Sequence, residues 1–151
     1  MYIREALSLD ECQAAIAAMI GEWKKDAGNP PITMAVVDHN GHLLAFASTD
    51  GAGPLLGRNC IKKAYTAAMT GSSTKVFGAP RPGEADYAAR LKEHGWNVTE
   101  YGDPMLFVIS GGVCARNPAD NTVLGGIGVS GYPYGPGDHD MALVGLRAMG
   151  V

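Results

Sequence analysis

Lys63, Asp138, His139 and Asp140 are the side chains of this chain best suited to move a proton or hold a charged ligand. Lys63 falls in a segment whose apolar residues, Ile61, Ala64, Tyr65, Ala68 and Met69, recur at helical spacing. A lysine on the inner side of such a helix is partly desolvated, so its pKa falls readily and it serves as a base, an acid or a carboxylate anchor. The competing reading lays its stem on the surface and leaves its charge in water. His139 stands at a predicted helix start, where the positive end of the dipole keeps an imidazole neutral and suits it to metal coordination or proton transfer. Asp138 and Asp140 oppose that shift, and Asp138 is explained equally well as a helix cap. Upstream, Leu124-Gly125-Gly126-Ile127-Gly128-Val129-Ser130-Gly131 is an apolar run laced with glycine, which reads as a buried strand that something approaches closely. The loop after it carries Tyr132 and Tyr134, which either stack on a flat ligand or pack at a subunit interface. Strand, loop and helix start together predict one wall and the floor of a small-molecule pocket.

Other chemistries are disfavoured by context. Ser110-Gly111-Gly112 lacks the G-x-S-x-G elbow of a serine hydrolase. Gly125-Gly126-Ile127-Gly128 lies inside a strand, not between a strand and a helix, so it is not a dinucleotide fingerprint. His39 and His42 flank a turn with no third ligand near, and His94 reads as a helix C-cap. Cys12, Cys60 and Cys114 are odd in number and far apart, which predicts buried reduced thiols and a cytoplasmic protein.

The elements that must position these residues follow from periodicity and breakers. Ser8 with Glu11 forms a capping-box pattern ahead of Cys12, Ala15, Ile16, Met19, Ile20 and Trp23, which share one helical face; Gly28-Asn29-Pro30-Pro31 ends that helix. Residues 32–37 and 43–47 read as strands joined by the Asn40-Gly41 turn. A helix is predicted over 56–69, a short turn of helix within 72–78, a break at 79–83 and an alanine-rich helix over 84–94. Strands are expected at 105–109, 112–116 and 122–130, and a last helix begins at Asp138 with Ala142, Leu146 and Met149 inward. Short turns between strands favour antiparallel pairing. The predicted fold class is α+β: a five-stranded antiparallel sheet flanked by helices in a layered sandwich, one domain over 1–151.

Composition narrows the function classes. The 151 residues are 46% hydrophobic and 18% charged, the balance of a globular chain with a real core. The net charge of −3 comes without a basic stripe, which argues against nucleic acid. No run approaches the roughly 20 apolar residues of a membrane span, and the first residues lack a signal-peptide pattern.

Taken in order, several pieces resemble the GlcG/HbpS-like family, whose members are called haem-degrading or haem-binding. They are Val36-Val37-Asp38 with Gly41-His42-Leu43-Leu44-Ala45, then Asp50-Gly51-Ala52, Lys63-Ala64-Tyr65-Thr66-Ala67-Ala68, Gly111-Gly112-Val113, the Gly125–Gly131 stretch, and Asp138 with Ala142 and Gly145. The resemblance implies a profilin-like sheet, a homo-oligomer, and haem or another tetrapyrrole as the bound cofactor. The chain departs from the family pattern at Cys114, where a proline is usual, and at Ser48, where an arginine is usual. It departs again at His139, where an acidic residue is common, and in a longer 79–104 segment.

Two functional expectations follow. In the first, the chain is a small-ligand-binding protein whose pocket takes haem or a similar planar molecule. His139 is then the iron ligand, Lys63 or Arg58 pairs a propionate, and Asp50, Gly111, Gly112, Gly126, Ser130, Tyr132 and Tyr134 line the cavity. In the second, Lys63, His139 and Asp138 form the acid–base set of a cofactor-independent isomerase, tautomerase or lyase acting on a small oxygenated substrate. A purely structural subunit of an assembly is the third alternative.

Overall fold

The middle of the sheet is built from the two strands with the least polar sequences. Strand β1, Thr33–Asp38, is buried along almost its whole length, and β4, Val123–Ser130, along all but its first residue. The computed structural model describes residues 1–78, 98–133 and 137–151. In it the sheet has four strands in the order β2-β1-β4-β3, every pair antiparallel, with β2 over Leu43–Ser48 and β3 over Gly112–Arg116 at the edges.

The fifth strand expected at 105–109 is absent: that segment is irregular. Its backbone is committed elsewhere. The Phe107 amide donates to Thr66 Oγ1 at 2.8 Å, the Met105 amide donates to Asp103 Oδ1 at 2.9 Å, and the Tyr65 hydroxyl donates to Asp103 at 2.7 Å. The Thr66 side chain of α2 and the Asp103 side chain of the loop thus satisfy amides that a strand would have offered to a neighbour. The helix expected at 84–94, the break at 79–83 and Tyr134 lie outside the described residues.

Helices cover both faces. Helix α1, Leu9–Trp23, begins with a capping box in which Ser8 and Glu11 bond each other's backbone. Helix α2 spans Pro54–Thr70, with Pro54 at its start and Gly71 ending it in the left-handed conformation at φ 64°. Helix α3 is the single turn Thr74–Phe77, and α4 is Gly137–Met149. Val98–Tyr101 forms a 3₁₀ turn.

The period-2 alternation of the central strands divides the interior. Met34, Val36, Ile127 and Val129 meet Cys12, Ala15 and Met19 of α1 and Met141, Ala142 and Met149 of α4. On the opposite face Ala35 and Val37 pack against Cys60, Ala64 and Ala68 of α2.

That second face is thin because it is paved with glycine. A Cβ on Gly112, Gly126 or Gly128 would collide with the α2 backbone at Lys63 O, Ala64 O and Cys60 O respectively. The close approach expected along β4 is therefore that of a helix: at Gly126 the α2 backbone occupies the space assigned to a ligand. Helix α2 sinks onto the sheet, and its inner side is Cys60, Lys63, Ala64 and Ala67, while Met69, expected inward, is 39% exposed. Cys12 and Cys60 are free and buried, and Cys114 is a half-buried free thiol on β3. Among the described residues no helix is long and apolar enough to cross a membrane.

Candidate functional site

Because α2 lies so close to the sheet, the stem of Lys63 runs over β3 and β4 and its ammonium emerges at the C-terminal end of β4. It is 2% exposed. Nζ donates to Val129 O at 2.9 Å, to Ser130 Oγ at 3.4 Å, and to Asp138 Oδ2 at 2.8 Å. The Asp138 carboxylate comes from α4 on the other face of the sheet, so one ion pair joins the two helical layers. Its second oxygen, Oδ1, accepts from the Tyr132 amide at 3.0 Å and ties the end of β4 to the start of α4. Asp138 therefore binds the loop and the ammonium instead of capping its own helix. Gly111 closes this polar knot from below. At φ 125°, a Cβ there would stand 3.0 Å from Lys63 Nζ and 2.8 Å from the Asp138 Cβ. The knot is fully partnered, and a buried ion pair with these extra hydrogen bonds is the geometry in which attraction offsets desolvation.

His139 is the next residue, and successive helical positions point about 100° apart. Its charged neighbours are Lys75 on α3 and Asp140 on its own helix. Burial lowers its pKa from the ordinary value, the Lys75 ammonium lowers it further, and Asp140 pulls weakly the other way, so the ring is biased to the neutral form. Nδ1 is buried and has no hydrogen-bond partner among the described residues. Val76 on α3 is 64% exposed, Val108 and Ile109 are exposed as well, and Val108 lies against Gly78 at the end of α3. No hydrogen bond joins His139 to Lys63 or Asp138 among the described residues.

The remaining expected residues scatter. Ser130 and Gly111 join the knot. Gly112 gives its amide to the Thr74 hydroxyl at 2.9 Å and seats α2 and α3 on β3. Asp50 and Arg58 are exposed, on the loop before α2 and on its outer side, away from the knot. Tyr132 contributes its backbone to the knot, but its ring faces an open groove of about 420 Å³ between α1 and α4, lined also by Glu22, Asp26, Asp140 and Arg147. Burial raises the Tyr132 pKa, and Asp138, Glu22 and Asp26 raise it further. His39 Nδ1 is also buried without a partner, at the end of β1 near the Asp38–His42 contact of 3.3 Å. No group of three His, Cys, Asp or Glu side chains suited to a metal ion exists among the described residues.

Sequence reasoning missed Lys75. Its only signal is Ser73 before it, which caps α3 by accepting from the Val76 amide at 3.2 Å and marks Thr74–Phe77 as an ordered turn.

Three comparisons bear on this arrangement. No curated protein sequence matches the chain significantly. Among solved structures, a double mutant of Streptomyces reticuli HbpS superposes with a TM-score of 0.80 at 26% identity, covering 100% of this chain and 92% of that one. The Klebsiella pneumoniae protein ORFY follows with a TM-score of 0.76 at 21% identity, covering 100% and 95%. A PduOC:heme complex gives a TM-score of 0.73 at 19% identity, covering 95% of each chain. The last two likenesses speak to the fold alone. A family model described as haem degrading protein HbpS-like matches residues 7–147, nearly the whole length that carries the sheet, α2 and the His139 turn. The chain therefore belongs to the HbpS-like family.

Proposed function

We propose that this protein is a small-ligand-binding protein that takes haem, or a closely related planar tetrapyrrole, against the α3–α4 flank, where His139 would hold the iron. One observation carries the reading: a histidine held neutral by burial and by Lys75 has a buried ring nitrogen that nothing in the described chain claims. Buried polar atoms are nearly always partnered, and orphans concentrate at sites that await one. The residues present fit the group. A neutral imidazole is the form that ligates iron. The exposed apolar side chains of Val76, Val108 and Ile109 offer a surface for a macrocycle, and the Lys75 ammonium suits a propionate. Bound haem would supply an iron centre for ligand exchange or electron transfer; the chain's part is to hold and orient it. Membership in a family described as haem degrading supports the same reading.

Cytoplasmic location and self-association belong to this proposal too. Leu43, Leu44 and Phe46 are exposed on edge strand β2, which carries no charge, and such an edge is a template for pairing with another copy. Hemin titration of the ligand-free protein tests the central point. A sharp Soret band that moves in His139→Ala is expected; a broad band indifferent to that substitution overturns the assignment.

A further inference from the structure

We propose that Lys63 is the positioning residue of this site: its buried ammonium, acting through Asp138, fixes the first turn of α4 and thereby the direction in which His139 is presented. The inference rests on reading His139 as the ligand, but it is a statement about the ligand-free chain as well. A helix start is intrinsically loose, because its first four amides have no intrahelical partner. Here it is tied down by a side chain. Asp138 Oδ2 takes the Lys63 ammonium at 2.8 Å and Oδ1 takes the Tyr132 amide at 3.0 Å, so both oxygens of the residue before His139 are fixed.

The tie is itself anchored to the most rigid part of the fold. Nζ also reaches Val129 O at 2.9 Å on the central strand β4. The α2 backbone that carries Lys63 rests on Gly112, Gly126 and Gly128, where no side chain separates helix from sheet. Gly111 leaves room for the ammonium and for nothing larger. The line of support therefore runs from the sheet through α2 and Lys63 to Asp138 and His139. A ligating side chain needs this kind of support, because a site left loose by about 1 Å loses function even when its ligands are present. A second role for Lys63 as a free base or propionate anchor is disfavoured, since three acceptors already surround its ammonium.

The test separates positioning from plain stabilisation. The double substitution Lys63→Met with Asp138→Asn removes both charges together and avoids leaving one buried alone. In the ligand-free protein, the ring 1H–13C signal of His139, identified by its loss in His139→Ala, is expected to move or split in the double variant. The signals of His39 and His42 stay in place and report an intact fold. Hemin affinity is expected to fall at least about tenfold, with the Soret band shifting toward that of His139→Ala, in line with the usual effect of removing a ligand's support.

A folded double variant whose His139 signal and hemin titration both match the unsubstituted protein overturns the proposal. An unchanged Soret band in His139→Ala overturns the ligand assignment instead, while the ring signal still decides whether Lys63 positions this side chain. If the double variant does not fold, Lys63→Arg keeps the charge but displaces the anchoring atom. The same displacement of the His139 signal is expected there, and its absence counts against positioning.

Discussion

Asp138 and His139 are neighbours in the chain and opposites in environment. Both carboxylate oxygens of Asp138 are engaged, one by Lys63 and one by the Tyr132 amide. Nδ1 of His139 is buried and has no hydrogen-bond partner among the described residues. An unpartnered buried polar atom costs about 1–3 kcal/mol, and the chain bears that cost here as it does at His39 Nδ1. The contrast teaches which polar residues here are framework and which are available. The knot around Lys63 binds two layers of the fold together, and the imidazole beside it carries a buried nitrogen that no described residue engages. Chemistry-bearing residue types occur in both places, and only their partners distinguish them.

Breaking the framework side should have the larger effect. Lys63→Met leaves the Asp138 carboxylate buried with one remaining hydrogen bond, and removing one member of a buried pair costs about 3–5 kcal/mol. Urea denaturation should show a loss of that size, and the double variant with Asp138→Asn should recover much of it. Additive losses in this cycle would mean that the two side chains are not coupled. Next in size is Gly128→Ala. Its Cβ would run into Cys60 O of α2, so the helix must lift from the sheet, and overpacking of this kind costs about 1–3 kcal/mol. The same substitution should displace Lys63 and soften the knot, visible as faster amide exchange at Tyr132. An alanine accepted without loss would show that the glycine seat is not what brings Lys63 to its place.

Much of the fold was legible because its signals are local. The capping box at Ser8 and Glu11, the Asn40-Gly41 turn, the breaker at Gly71 and the dense apolar run of β1 each act within a few residues. The fifth strand was misread because residues 105–109 have a strand-like composition, while their backbone partners are Thr66 and Asp103, one of them distant in sequence. The glycines of β4 announced a close approach, yet sequence does not say whether a ligand or a helix makes it; at Gly126 it is Ala64 of α2. Lys63 and Asp138 were both legible as unusual residues at helical positions. Their mutual pairing was not, since it depends on α2 and α4 lying on opposite faces and meeting past the end of a strand. Lys75, the charge that acts on His139, gave almost no signal at all.

On the open side of the comparison the expected effects are smaller and of a different kind. His139→Gln should change stability near neutral pH by less than either framework substitution, because Nδ1 has no hydrogen bond to the described residues to lose. Its effect should appear on acidification. The folded chain holds the His139 pKa below the ordinary value of 6.5, chiefly by burial and then by Lys75. As pH falls below that value, the unfolded chain takes up a proton here that the folded chain resists, so stability declines. Above it both states are neutral at this residue and the contribution vanishes. Denaturation midpoints compared at about pH 7.5 and about pH 5.5 should therefore fall more in the unsubstituted protein than in His139→Gln, the difference cancelling what the rest of the chain contributes. Lys75→Gln removes the second cause while leaving burial intact, so it should shrink this excess without abolishing it. An excess unchanged by Lys75→Gln would separate α3 from the histidine, and with it the cation assigned to a propionate.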